Sequence, residues 1–210
     1  MMSGPSSSGK TSSSLRIAQQ CRVLGMSPKV IELDNYFVDR DQTPRDENGE
    51  YDFECLGAMD IELLNQQIND LLNGKEVIIP KYDFVSGYKK FDESRKMKLE
   101  EKDVLFMEGI HALNPDVTGD SKNIANRIYL SVRTRITMEN ERLHPSLIRF
   151  ARRLIRDNRS RGRAPEESCA MLTSISRGEN LYIMPYKHLA DYELDTFMGY
   201  ELPVYQPILL

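Results

Sequence analysis

Eight residues near the start, Gly4-Pro5-Ser6-Ser7-Ser8-Gly9-Lys10-Thr11, constrain this chain more than any other segment. They match the pattern G-x-x-x-x-G-K-[ST] in full. Glycines in such a loop let the backbone wrap closely around a phosphate, with successive amide N–H groups pointing inward. Lys10 to Leu24 then read as a helix ended by Gly25, and the positive N-terminal end of a helix adds to an anion site. In this pattern Gly4, Ser6, Ser7, Ser8 and Gly9 cradle the phosphates. Lys10 reaches the β- and γ-phosphates, and the Thr11 hydroxyl ligates magnesium. A serine-rich leader can match the pattern by chance, but nothing then requires a helix to follow at once. The loop should also leave a buried strand, yet only Met1, Met2 and Ser3 precede it. The central strand is therefore missing or a stub, and we expect the chain to have been cut from a longer protein. The apolar end from Leu202 to Leu210 carries no stop signal and reads as a second cut edge.

The remaining chain alternates strand and helix patterns. Val30–Leu33, Val104–Met107 and Ile128–Val132 are short apolar runs that read as buried strands, with a late strand over Tyr192–Leu194. Leu56–Leu72 carries helical periodicity and stops at Gly74. Arg135–Arg142, Ser146–Arg159 and Pro165–Arg177 also read as helices, the first two split by His144-Pro145. Val77–Ile79 and Tyr88–Leu99 read as the strands of a small hairpin arm, and Asp34–Leu56 as a long polar loop of the kind that is usually functional. Such alternation predicts an α/β fold: a doubly wound parallel sheet of P-loop NTPase type, with ligands outside the carboxyl ends of the strands. A single domain over 1–210 fits the length.

Charge narrows the partners. From Arg149 to Arg163 there are seven arginines and one acid, Asp157, a net +6 in a chain whose total is −4. The remainder therefore carries −10, which disfavours broad nucleic-acid binding and suits a small polyanion met at one place. No apolar run of 18 residues is present, so no membrane partner is expected. Cys21, Cys55 and Cys169 are odd in number and widely spaced, which fits a reducing, cytoplasmic compartment rather than a disulfide framework or a zinc site. Whether the chain forms a homo-oligomer stays open.

Two acids stand where the strand-end rule says to look: Asp34 after Val30–Leu33, and Glu108 after Val104–Met107. A phosphoryl-transfer site needs one carboxylate to take the acceptor's proton and one to hold magnesium or its waters. Solvation of strand ends is the plain alternative. Arg149, Arg153 and Arg156 recur at helical spacing, as do Arg152, Arg156 and Arg159. A solvated charged face would mix signs, whereas this one hardly does, and it reads as a phosphate-facing lid over about 144–164.

Together these segments resemble the uridine kinase and phosphoribulokinase family, in order and over nearly the whole chain. Gly4–Thr11 resembles its phosphate loop, and Leu33-Asp34-Asn35-Tyr36-Phe37 a segment whose aspartate is the catalytic base. Tyr51-Asp52-Phe53 is similar to a segment whose aspartate holds ribose hydroxyls, and Pro80-Lys81-Tyr82-Asp83-Phe84 to one lining the base pocket. Phe106-Met107-Glu108-Gly109-Ile110 resembles the magnesium-side acid segment. Arg152-Arg153-Leu154-Ile155-Arg156-Asp157 with Arg161-Gly162-Arg163 resembles the lid. The resemblance implies ATP and Mg2+ as cofactors and a small hydroxylated acceptor, a nucleoside first. Lys10, Asp34 and Glu108 would be the catalytic residues, with Thr11 and Glu108 on the metal. Asp52, Tyr82, Phe84 and Arg153 would meet the acceptor, and Arg156, Arg161 and Arg163 the ATP phosphates. The chain departs from the pattern at Gly87, where the family carries a histidine on the pyrimidine, and at Met171, aligned with a glutamine near the ribose. A pocket so altered should read the base loosely. The details resemble a subgroup whose kinase domain follows an N-terminal domain similar to one of threonyl-tRNA synthetases. A kinase for a sugar phosphate or another small alcohol, and an NTP-binding regulatory module with little turnover, remain alternatives.

Overall fold

A computed structural model describes residues 1–119, 124–138 and 140–209. In chain order the first elements are β1 (Met2–Ser3), α1 (Lys10–Val23), β2 (Ser27–Glu32), α2 (Ile61–Leu72), β3 (Val77–Ile78), β4 (Lys81–Asp83), β5 (Tyr88–Lys90) and β6 (Lys96–Met97). They are followed by β7 (Asp103–Glu108), α3 (Pro115–Thr118), β8 (Ile128–Ser131), β9 (Ile136–Met138), β10 (Glu141–Leu143) and α4 (Pro145–Arg161). α5 (Pro165–Ala170), α6 (Leu172–Gly178), β11 (Tyr192–Asp195) and α7 (Glu201–Leu209) complete the chain.

Five strands form one parallel sheet in the order β11-β8-β1-β7-β2. The chain runs from the central β1 through α1 to the edge strand β2, returns to β7, then crosses β1 to β8 and β11. β1 thus stands where the winding reverses, and the loop that leaves its carboxyl end lies at the switch point of the sheet. This strand is a stub of two residues, but both are buried, and the Met2 carbonyl accepts from Gly109 N at 3.1 Å. One face of the sheet packs on α1 through Met2, Ala18, Phe106 and Leu130. The larger core joins Ile31, Leu33, Tyr36, Leu64, Leu71 and Met107 beneath α2.

The expected α/β architecture and its strands are present, with four local differences. Arg135–Arg142 is not a helix: β9 and β10 pair antiparallel, Ile136 opposite Leu143, Thr137 opposite Arg142 and Met138 opposite Glu141. Residue 139, within that expected helix, lies outside the described residues. The β-branched pair Ile136-Thr137 favours a pleated surface over a helix. α2 begins at Ile61 rather than Leu56, because the Asp60 carboxylate accepts from Leu63 N at 3.1 Å and caps the helix there. The helix over Pro165–Arg177 divides at Met171 into α5 and α6. The arm is two short pairs, β3 with β6 and β4 with β5, rather than one hairpin.

Candidate active site

The phosphate loop turns sharply out of β1. Gly4 sits at φ +153°, and a Cβ there would fall 2.0 Å from the Leu130 carbonyl oxygen, so only glycine lets the loop pass β8 this closely. Ser7 holds φ +57°, a backbone state uncommon for a residue with a side chain and often found where a loop is shaped for a ligand. The Lys10 ammonium is buried and donates to the Gly4 and Pro5 carbonyls at 3.0 and 3.1 Å. Burial depresses its pKa, against the pull of Glu108 and Asp34. The buried Ser7 and Ser8 hydroxyls have no hydrogen-bond partner among the described residues. Unsatisfied donors of this kind suit a bound polyanion.

The Thr11 hydroxyl donates to Glu108 Oε1 across the end of β7. Glu108 is 4% exposed, and burial pushes its carboxyl up to about 7, although Lys10 draws it down. A hydroxyl and a carboxylate beside a phosphate loop are hard oxygen donors. They suit a small divalent cation that keeps several waters and shares substrate phosphates.

Two clefts meet here. The larger, about 420 Å3, is lined by Ser7, Gly9, Lys10, Thr11, Glu108, Arg152 and Arg156, and by Thr196 and Tyr200 from beyond β11. The smaller, about 50 Å3, is walled by Phe37, Phe53, Tyr82 and Phe84 and by Arg40, Glu54, Arg153, Arg161, Arg163 and Met171. The aromatic rings meet edge to face, Phe37 with Tyr82 at 5.6 Å and Tyr82 with Phe84 at 5.1 Å. Asp34, Ser6 and Ile110 line both clefts.

The arginine helix lies across this junction. Arg149 donates to the Ser6 carbonyl at 3.2 Å and pairs with Glu179 at 2.5 Å. Arg152 reaches the Ser7 carbonyl at 3.3 Å and pairs with Glu201 at 2.5 Å. Arg153 donates to Ser6 Oγ at 2.8 Å. Asp157, fully buried, gathers Arg153, Arg156 and Arg161, and these cations hold its carboxyl below the usual range despite its burial. α4 ends on Gly162, and Arg163 N returns to the Asp157 carbonyl at 3.1 Å. That turn sends Arg161 and Arg163 to the smaller cleft, where the Arg161 guanidinium stacks on Phe84 at 3.9 Å and comes within 3.8 Å of Asp34.

Most of the residues singled out in the sequence therefore converge, though not all on the side expected. Lys10, Thr11, Glu108 and Arg156 line the larger cleft, and Tyr82, Phe84 and Arg153 the smaller one. Arg161 and Arg163 line the smaller cleft and not the larger. Asp52 lines neither: it is buried, with Oδ2 accepting from Arg177 at 2.9 Å and Oδ1 from Glu54 N at 3.1 Å. Gly87 leaves room for Arg40, whose Nε would stand 2.7 Å from a Cβ at that position. The Arg40 Nη2 donates to the Phe84 carbonyl at 2.7 Å. Arg40 and Glu54 escaped the sequence reading. Both lie in the polar stretch 34–56, where two charged side chains close to aromatic residues were the available signal.

A parallel sheet with a phosphate loop at its switch point, facing a second cleft across one carboxylate, defines a P-loop kinase. Residues 1–198 match the Phosphoribulokinase / Uridine kinase family. The uridine kinase of Macrococcus caseolyticus (strain JCSC5402) is 32% identical over 191 residues, 90% of this chain and 84% of that protein. The uridine kinase of Staphylococcus aureus (strain JH9) is 31% identical over 90% of this chain and 83% of its own length. Among solved structures, a possible uridine kinase from Bacillus stearothermophilus shares the fold with a TM-score of 0.58 at 20% identity, covering 92% of this chain and 86% of that one. The chain belongs to the phosphoribulokinase/uridine kinase family and is a kinase that transfers a phosphoryl group from ATP to a small substrate.

Proposed function

We propose that the protein phosphorylates the 5′-hydroxyl of a nucleoside with the γ-phosphate of ATP. The observation that carries this reading is Asp34, which lines both clefts and so stands between the phosphate loop and the aromatic pocket. The acceptor's ring lies against Tyr82 and Phe84. Its hydroxyl gives its proton to the Asp34 carboxylate as the oxygen attacks the γ-phosphorus, and the bond to the ADP oxygen breaks. Lys10 leaves the loop carbonyls for the β- and γ-phosphate oxygens, and Arg156 meets the same phosphates. Thr11 and Glu108 would hold Mg2+, which when bound neutralises charge on the phosphate oxygens. The segment around 144–164 acts as the lid. Arg161 and Arg163 move from the acceptor pocket toward the transferred group as it closes, and Arg161 vacates the face of Phe84 for the acceptor.

One feature favours a second acceptor class. Arg40, Arg153, Arg161 and Arg163 line the smaller cleft against two carboxyl groups, Asp34 and Glu54, a balance that also suits a phosphorylated sugar. Acceptor-dependent ADP release separates the two. Under one set of conditions, kcat/KM is measured for uridine, cytidine, adenosine, guanosine and inosine, and for pentose and hexose monophosphates. We expect turnover on several nucleosides, with uridine and cytidine within a hundredfold of the purines, because neither Gly87 nor Met171 offers a directed donor to a pyrimidine. Turnover confined to the sugar phosphates overturns the nucleoside reading.

A further inference from the structure

Ser6, Ser7 and Ser8 are consecutive in the phosphate loop, and each of their carbonyls accepts from a side chain far along the chain. Ser6 accepts from Arg149 at 3.2 Å, Ser7 from Arg152 at 3.3 Å and Ser8 from the Thr196 hydroxyl at 2.6 Å. In a trans peptide the N–H points opposite to the C=O of the same plane, so fixing a carbonyl also aims the next N–H. Arg149 and Arg152 thus hold the two peptide planes on either side of the Ser7 Cα. The second plane is held at both ends, since Ser8 N donates to the Pro5 carbonyl at 3.1 Å. Among the described residues Ser7 alone combines a side chain with a left-handed backbone, at φ +57°. Such a state persists only where its surroundings impose it. Neither guanidinium is left to turn toward a phosphate. Glu179 grips Arg149 with both oxygens, at 2.5 and 2.9 Å. Arg152 gives Nε and Nη2 to Glu201 at 2.7 and 2.5 Å, and it also donates to the Thr196 carbonyl at 2.7 Å. Glu201 accepts in addition from Met198 N and the Tyr205 hydroxyl, both at 2.9 Å. Both ion pairs are largely buried, and breaking a buried pair strands a charge.

We infer that Arg149 and Arg152 are positioning residues of the phosphate loop: they hold its binding shape through the Ser6 and Ser7 carbonyls and do not themselves meet the nucleotide. Glu179 and Glu201 keep them in that role. Within the segment proposed above as the lid, these two residues form a fixed root, and the part that moves lies beyond them. The inference rests on the nucleotide lying in the larger cleft, and not on the identity of the acceptor.

Comparing ADP with ATP separates the two roles. A cradle of loop amides grips phosphates that both nucleotides carry, whereas a lid cation on the γ-phosphate favours ATP alone. Dissociation constants for MgATP and MgADP are measured by calorimetry without acceptor. The proteins are the parent, Glu179→Gln, Glu201→Gln, and the paired variants Arg149→Met/Glu179→Gln and Arg152→Met/Glu201→Gln, which leave no buried carboxylate stranded. We expect each paired variant to weaken ATP and ADP by the same factor, about 5- to 30-fold. Each single Gln variant should weaken both nucleotides equally and by less. In steady state the KM for ATP should rise by the same factor while the KM for the acceptor stays within twofold, a split that a general packing defect would not give. If a paired variant does not fold, the single Gln variants decide by the sign of their change. A Gln variant that binds ATP more tightly than the parent, or a loss confined to ATP, means that the guanidinium meets the γ-phosphate, and overturns the inference. Unchanged affinities in folded paired variants overturn it as well. Lys10→Ala, measured alongside, keeps the two readings apart. If Lys10→Ala weakens nucleotide binding and the paired variants do not, the inference falls alone. If none of them does, the larger cleft is not the nucleotide site, and the phosphate-loop reading falls with it.

Discussion

The two clefts that share Asp34 are built in opposite ways. The larger cleft, the proposed nucleotide side, is centred on one contiguous stretch: Ser6, Ser7, Gly9, Lys10, Thr11, Ser12 and Ser13 line it, with Glu108 from the adjacent strand and an outer wall from α4 and the segment after β11. The smaller cleft, the proposed acceptor side, is side chains gathered from separate segments: Phe37 and Arg40, Phe53 and Glu54, Tyr82 and Phe84, and Arg153, Arg161, Arg163 and Met171. A phosphate is the same in every ATP, so one loop shape serves, and main-chain N–H groups can do the binding. An acceptor varies between enzymes, and side chains on loops are the parts that can change without disturbing the sheet.

That contrast predicts separable damage. Lys10→Ala removes the buried cation of the nucleotide side and should lower kcat by about 100- to 1000-fold or more. The dissociation constant of the acceptor, measured by calorimetry without ATP, should change little. A Lys10→Ala enzyme with near-normal turnover would break the phosphate-loop assignment. A large loss of acceptor binding would show that the two sides are not independent.

A smaller effect concerns stability. Burial holds the Glu108 carboxyl at about 7, against 4.5 for a free side chain. Between those values the folded chain binds more protons than the unfolded one, so this group takes stability away as pH rises, until the loss levels off above about 7. Glu108→Gln has no such titration. In denaturant melts without nucleotide, the variant should gain on the parent from pH 5 to pH 8, by on the order of 1–3 kcal/mol. His111, which burial lowers to about 4, is common to both and cancels in the comparison. A difference that does not move with pH would mean that Glu108 ionises normally and that the metal side of the cleft is wetter than its burial implies.

The same contrast governs what the sequence made legible. Gly4–Thr11 is read directly because its chemistry is local, and the strand ends at Asp34 and Glu108 follow from the alternation around them. The acceptor pocket needs long-range information. Asp34–Leu56 has the composition of a solvated loop, yet Tyr36, Phe37, Thr43, Asp52 and Glu54 are all buried in it. The partner that engages Asp52 is Arg177, 125 residues away, and no spacing rule reaches that far. Helical periodicity brought Arg149 to Arg156 to one region but could not foresee that the turn at Gly162 directs Arg161 and Arg163 to the smaller cleft. At Arg135–Arg142 a short amphipathic pattern fitted two periods, and the β-branched residues decided it.

The central claim is that Asp34 takes the acceptor's proton at the junction of the two clefts. Asp34→Asn keeps the shape of the side chain and removes its basicity. The decisive measurement is single-turnover phosphoryl transfer by this variant, with ATP affinity determined in parallel. The account predicts a transfer rate lower by at least about 100-fold with ATP binding within a few-fold of the parent. A transfer rate within a few-fold of the parent would contradict it.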